Sequence, residues 1–562
     1  MKKDDFELLL ADGRSGEPAL GEGMPLTTAA HMQHLEQVDA SHMLNPGKDP
    51  NLLPLQRWGV VAPEGPEGDR LLTLIRDLMD WRQECQGGAP ISIYRVPRNL
   101  GAVTDLDHDP YTLWKSSVLN DPDKQKVSER PLYLLFLGDL DVLPFELQKT
   151  VAQERLVGRL AFSREQDYAA YVEKVLRWEK RPPPALQPSR ALFYTVHDGT
   201  QATRIGYTSL MTPALEDLKE SRREGAGLTE EELKQRILEV GSPRRFSIED
   251  LLSEAARDVP TILFSMSHGL GPPRDGWRSP EEKRGMQGAM SLGKGERLDA
   301  KELASRPFLP GGIWFYFACF GAGTPSTSAY WHWLKRLTDV GQFRGELDSV
   351  LTALPGPHER PFIAALPQAA LANPQGPLAV AGHVDLAWTY GFQDQLTGVS
   401  KRDRFTQILE QWIDGSRAGI GIGWLTGTEF GKVNTSLTDL YKQMETSQKL
   451  GISNPKNTAL LAHLWMTQQD LAGYVLLGDP AVHLPRATTA GTLPLVKRSE
   501  PATASFETGA ADPQAQERAV LELCLLRERL ALDLGITSEE LHQCERLYQQ
   551  GGRQALQDRK RA

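Results

Sequence analysis

Short apolar runs alternate with amphipathic stretches along most of the chain, and the runs tend to stop at glycine, proline or a polar turn. Trp58-Gly-Val-Val-Ala-Pro reads as a strand. Gly68 to Cys85 reads as a helix whose Leu71, Leu72, Leu74, Ile75 and Leu78 fall near helical spacing. Ile91-Ser-Ile-Tyr-Arg-Val-Pro is the next predicted strand, and Leu132-Tyr-Leu-Leu-Phe-Leu-Gly-Asp a buried one opening into a loop. Tyr168 to Lys180 is a predicted helix, stopped by the prolines that begin at Pro182. A second block repeats the scheme from Arg190, with a strand at Ala191–Val196 and a helix announced by the capping box of Thr229 and Glu232. Further strands are predicted near 261–266 and 313–317, with a long helix carrying Tyr330, Trp331 and Trp333 after them. Pro361-Phe-Ile-Ala-Ala, Leu378 to His383 and Gly473 to Asp479 close the block. Strands alternating with helices predict an α/β fold with a mostly parallel sheet covered on both faces.

A chain of 562 residues is too long for one core. Residues 1–55, mixed and rich in Gly, Pro and His, are expected to form an N-terminal arm that packs on the body, or a partly disordered segment. Residues 56–188 form a smaller α/β subdomain and 189–486 the main α/β domain. Residues 487–516, rich in Ala, Thr, Pro, Ser and Glu, read as a linker. Residues 517–562 read as a short helical tail, with Val520, Leu523, Leu526, Leu530 and Leu534 on one side and a second capping box at Thr537 to Glu540. So small a unit buries little surface alone, so it is expected to pack on the body or on a regulatory protein partner.

The predicted strand ends carry the chemistry. Thr261-Ile-Leu-Phe-Ser-Met-Ser-His268-Gly269 and Gly312-Ile-Trp-Phe-Tyr-Phe-Ala-Cys319-Phe-Gly-Ala-Gly share one layout: a β-prone run, a reactive side chain, then glycine. Two parallel strands would set His268 and Cys319 side by side at the carboxyl edge of one sheet, where open α/β sheets keep their sites. A histidine can stabilise the thiolate that attacks a carbonyl and later protonate the leaving amine. The backbone N–H groups of Gly269 and Cys319 could together face the developing oxyanion.

Composition narrows the alternatives. The four cysteines are scattered with no CxxC pair, so neither a disulfide framework nor structural zinc is expected, and no metal or cofactor is called for. A net charge of −10 argues against a general nucleic-acid binder. No apolar run approaches the roughly 20 residues of a membrane span, and the first residues lack a signal-peptide core, so a cytoplasmic protein is expected. P-loop, zincin and serine-hydrolase motifs are missing. His31-Met-Gln-His34 has no nearby Cys or carboxylate cluster and reads as a surface helix, while Gly138-Asp139-Leu-Asp141 reads as turn chemistry.

The segments Ser265-Met-Ser-His-Gly269 and Phe317-Ala-Cys-Phe-Gly-Ala-Gly-Thr-Pro325 resemble the His-Gly and Ala-Cys motifs of the caspase-like clan of cysteine peptidases, and most closely its gingipain-like and CHAT-domain bacterial branches. Their separation, 319 − 268 = 51 residues, is close to the roughly 50 of the caspase pattern. Tyr133 to Phe145, Ala381 to Phe392 and Leu476 to Pro485 support the resemblance, which covers roughly residues 57–486. It implies a caspase-like three-layer sandwich with Cys319 as nucleophile, His268 as general acid/base, and the N–H groups of Gly269 and Cys319 as oxyanion hole. It also implies a protein or peptide substrate, and activation by cleavage or by a partner, with a cellular defence pathway as one setting.

In that clan the pocket for the residue before the cut is built near two positions that here hold Asp198 and Asp385. A buried carboxylate there would favour Arg or Lys, so cleavage after basic residues is expected. The alternative for each is a capping role. On the same view, Arg274, Arg278, Lys283, Arg284, Lys294 and Arg297, in a predicted loop at 270–300, are self-processing candidates. The rival to a peptidase is a catalytically silent scaffold of the same shape; a cysteine-based acyltransferase or ligase would use the same pair.

Overall fold

The computed structural model describes residues 5–6, 8–21, 23–25, 49–102, 109–121, 125–126, 129–181, 188–241, 247–273, 275–343, 345–355, 359–394, 398–449 and 455–485. The linker and helical tail expected at 487–562, and His31 and His34, lie outside them. The strands that matter here are β1 (Leu10–Ala11), β2 (Trp58–Pro63), β3 (Ser92–Val96), β4 (Tyr133–Leu137), β5 (Leu156–Leu160), β6 (Arg190–Thr195) and β7 (Ile237–Glu239). They continue with β8 (Thr261–Met266), β9 (His268–Leu270), β10 (Met290–Gly293), β11 (Glu296–Leu298), β12 (Ile313–Phe317), β13 (Ala379–His383) and β14 (Tyr474–Gly478).

Among the described residues, ten strands form one sheet in the order β3-β2-β4-β5-β14-β13-β12-β8-β6-β7. The pairs within each block are parallel, and β14 runs antiparallel to β13. The mostly parallel α/β sheet is thus present, but the two α/β blocks are edge-to-edge parts of one sheet rather than separate cores. Its central strands are buried along their length, as a sheet covered on both faces requires. All of β12, Ile-Trp-Phe-Tyr-Phe, is buried. Its Trp314 stacks on Tyr316 at 5.0 Å, while Phe315 and Phe317 meet Phe405 edge-on.

The seam between the blocks is polar and closed. Arg82 lies buried with its Nε 2.7 Å from Asp479 Oδ2 and its two terminal nitrogens each 2.7 Å from Glu179. Trp58 Nε1 donates to the other Asp479 oxygen at 2.9 Å. A buried guanidinium is tolerable when its N–H groups are answered by hydrogen-bond partners, here carboxylates. These partners come from residues nearly 400 positions apart.

The predicted helix at 68–85 is two helices, Pro66–Leu74 and Arg76–Cys85, parted at Ile75, whose φ of −111° leaves the helical region. The helix after Cys319 is short, Trp331–Asp339. The capping box is formed as predicted: Thr229 accepts from the Glu232 N–H, and Glu232 accepts from the Thr229 N–H. The charged stretch at 270–300 is not a loop. It folds into β9, the helix Pro280–Met286, and the β10–β11 hairpin, which with β1 make a second, four-stranded sheet ordered β11-β10-β9-β1. Lys283 there is buried against Glu359, and Arg278 is held in the fork of Glu282. Of the self-processing candidates, Lys283 is therefore tied into folded structure, Arg278 keeps an exposed side chain, and Arg274 lies outside the described residues. No helix among the described residues is long and apolar enough to cross a membrane.

Candidate active site

Four neighbouring strands of the main sheet end at one place. β8 pairs with β12 in the register Met266–Phe317, with β6 in the register Met266–Thr195, and β12 pairs with β13 in the register Tyr316–Gly382. Two residues past Met266 stands His268, and two past Phe317 stands Cys319. Asp198 follows Thr195 by three, and Asp385 follows Gly382 by three. The tips thus bring together side chains drawn from nearly 190 residues of sequence.

Glycine makes the close approach possible. A Cβ on Gly269 would fall 1.8 Å from the Cys319 carbonyl oxygen, so only glycine lets the His268 strand cross the Cys319 backbone this closely. The N–H groups of Gly269 and Cys319 then point at one oxygen, the carbonyl of Leu9, at 2.9 and 3.3 Å. That convergence is the geometry an oxyanion hole requires.

His268 is fully buried. Its Nε2 lies 2.9 Å from Thr200 Oγ1 and 3.7 Å from Asp198 Oδ2, while its Nδ1 makes no hydrogen bond among the described residues. Asp198 is itself held, accepting from the Thr200 N–H at 3.0 Å and the Thr203 hydroxyl at 2.7 Å. Burial lowers the imidazole pKa, and the Asp198 carboxylate and the Leu9 backbone oppose that fall. Cys319 is equally buried. Its sulfur accepts from the Ala387 N–H at 3.3 Å and faces the Ala387 carbonyl at 3.5 Å. Burial pushes the thiol well above its ordinary range; N–H groups of Ala387 and Leu9 pull it down, and the Asp385 carboxylate pushes it further up.

The two carboxylates expected to select basic residues are both held by neighbouring groups. Asp198 flanks the imidazole. Asp385 is turned inward: Oδ1 accepts from the Ser328 hydroxyl and the Leu386 N–H, both at 2.8 Å, and Oδ2 from the Ala329 N–H at 3.0 Å. Its φ of 118° is a left-handed conformation an L-residue rarely adopts, and the three donors hold it there. Burial raises the Asp385 carboxyl to about 7. Both also make the capping contacts of the alternative reading, Asp198 to Thr200 and Thr203 and Asp385 to Ser328, Ala329 and Leu386.

Sequence reasoning missed Thr200, Ala387 and Leu9. Thr200 stands two residues past Asp198, a signal in hindsight. Ala387 and Leu9 act through backbone atoms, which leave no mark in side-chain chemistry. His383, near the site in sequence, is buried, with Nε2 3.0 Å from the Asp470 carbonyl and its ring edge-on to Tyr474. The Gly138–Asp141 loop is turn chemistry: Asp139 accepts from the Leu140 and Ile363 N–H groups, and Asp141 pairs with Arg360. Among the described residues no cluster of His, Cys, Asp and Glu is arranged to hold a metal ion.

No family model matches the chain, and no curated protein matches it. Among solved structures it is similar to the Arg-specific cysteine proteinase gingipain R, with a TM-score of 0.42 and 13% identity over 78% of this chain and 80% of that one. A chain described as a protease matches with a TM-score of 0.39 and 13% identity, over 77% and 79%. A complex of the pro- and mature domains of RgpB from Porphyromonas gingivalis matches with a TM-score of 0.41 and 11% identity, over 77% and 81%.

Proposed function

We propose that this chain is a cysteine endopeptidase that cleaves protein or peptide substrates with Cys319 and His268. The observation that carries the reading is the pair of N–H groups, from Gly269 and Cys319, meeting on one peptide carbonyl beside a thiol and an imidazole. In the reaction the Cys319 proton passes to His268 as the sulfur bonds to the carbonyl carbon. The oxygen takes the negative charge and receives both N–H groups. His268 gives the proton to the departing amine as the C–N bond breaks, and water, deprotonated by the same imidazole, then releases the acid from sulfur. Thr200 and Asp198 hold the ring by its Nε2 side, which leaves Nδ1 for the proton transfers.

This reading assigns Asp198 to the imidazole rather than to a substrate side chain, so the preference for Arg or Lys loses its carboxylate. Incubating the pure protein and a Cys319→Ala variant with a proteome, and sequencing the new N-termini, tests it. Cleavages that need Cys319 and His268 support hydrolysis. A protein that cuts nothing in any variant and whose Cys319 resists every thiol-directed electrophile is the silent scaffold instead. Adding an amine acceptor separates hydrolysis from acyl transfer, since a transferase would yield the amide.

A further inference from the structure

A strand already lies in this site, and it is part of the same chain. Leu8 forms an antiparallel bridge with Trp388, and Leu10–Ala11 pair in parallel with Gly269–Leu270. Between these two grips the Leu9 carbonyl receives the Gly269 and Cys319 N–H groups, and the Leu9 backbone lies against both the Cys319 sulfur and the His268 ring. The Gly271 N–H continues the pairing to the Ala11 carbonyl at 2.6 Å. A peptide bound for cleavage needs the same three things: backbone pairing before the scissile bond, pairing after it, and its carbonyl on the two donors. Residues 8–11 meet all three, with the Leu9–Leu10 bond in the reacting position.

The occupant is apolar and tethered. Leu8, Leu9 and Leu10 are 4, 0 and 1% exposed, and they belong to the same apolar cluster as Cys319, Phe320 and Trp388. Past Ala11 the chain reverses. Asp12 accepts from the Arg14 and Ser15 N–H groups, Ala11 bridges Pro18, and the Ala19 N–H returns to the Leu10 carbonyl at 2.9 Å. Arg14 pairs with Asp275, and a Cβ on Gly13 would strike the Gly271 carbonyl at 2.5 Å. The turn therefore seats the strand against β9 on a fitted surface.

Resting on the peptidase reading, we infer that the cleft is built for a leucine on the acyl side of the cut, and that residues 8–11 are its resident occupant, holding the enzyme closed until displaced. An apolar site that buries Leu9 completely gives a bulky aliphatic residue its transfer free energy and makes a charged one leave water unpaired. A strand tethered to the body competes at the high effective concentration of an intramolecular ligand.

The test uses the full-length protein and three variants, Leu9→Arg, Leu8→Ala with Leu10→Ala, and Cys319→Ala, each checked for a native circular dichroism spectrum and a cooperative melt. Substrates are fluorogenic peptides ending in Leu, Arg or Asp at the acyl side, and the probes are leucyl and arginyl chloromethylketones. Leu9→Arg places a charge in the apolar cleft and should expel the strand, raising turnover of the leucine peptide roughly tenfold or more over the native chain. The double-alanine variant, which introduces no charge, should raise it less. The leucine peptide should be cut at least about tenfold faster than the arginine or aspartate peptides. Faster cutting of the arginine or aspartate peptide overturns the leucine assignment and leaves the peptidase reading standing. Equal turnover by the native chain and both strand variants, with Cys319→Ala inactive, overturns the resident strand. If no variant cuts any peptide and neither ketone labels Cys319, the peptidase reading itself has failed.

Discussion

One buried polar group in each block of the sheet shows two opposite treatments. In the first, Arg159 of β5 is fully buried, and every direction of its guanidinium is answered: Nε donates to Gln148, Nη1 to the Gly138 and Asp139 carbonyls, and Nη2 to the Leu143 carbonyl. Burial lowers even this group, to about 10. The loop that follows β4 is wrapped round it and cannot move without stranding a charge. In the second block, His268 is as deeply buried, yet among the described residues Nδ1 makes no hydrogen bond, and the Cys319 thiol hydrogen-bonds to backbone. An unsatisfied buried polar group costs stability. On the proposed reading the difference separates a cation that builds a loop from a pair that acts on a substrate.

That contrast can be broken by substitution. Cys319→Ala should lower peptide turnover on the order of 10⁴-fold or more with the melting temperature unchanged or higher, read by a fluorogenic assay beside calorimetry. Arg159→Met should do the reverse. Leaving the loop carbonyls without donors should cost about 3 to 5 kcal/mol in urea denaturation, with turnover per folded molecule kept within about twofold. A large loss of turnover in the folded Arg159→Met protein would show that the first block also acts on the site. Asp198→Asn sharpens the picture, since it keeps the shape and removes the charge beside Nε2. Turnover should fall roughly 10²-fold. Because Asp198 raises the His268 pKa, the acid limb of the pH–rate profile should move to lower pH.

The smallest effect concerns His383, which burial lowers from 6.5 to about 4. Between those values the unfolded chain binds a proton that the folded chain refuses. This contribution to stability is present above pH 6.5 and is lost as pH falls toward about 4, by up to about 1.4 kcal/mol per pH unit. His383→Gln should flatten that slope in denaturation series taken across the window. An unchanged slope would mean that the histidine is protonated in the folded chain.

Much of the architecture is local and can be read along the chain. β2 spans the predicted Trp58–Pro63, β4, β8, β12, β13 and β14 fall inside runs recognisable by their apolar, β-prone composition, and β6 lies one residue ahead of its predicted run. Strand ends marked by glycine also point to where His268 and Cys319 stand, because parallel pairing of neighbouring strands brings their tips to one edge. Only the tertiary structure decided the rest. The joining of both blocks into one sheet depends on β14, 300 residues beyond β5 in the chain. Asp198 and Asp385 have the same carboxylate, and only their neighbours make one a partner of the imidazole and the other an inward cap. Leu9 is one leucine among three in a row, and no local pattern distinguishes it. Its meaning comes from two backbone N–H groups more than 250 residues away, and backbone donors carry no signature in the identity of the residues that bear them.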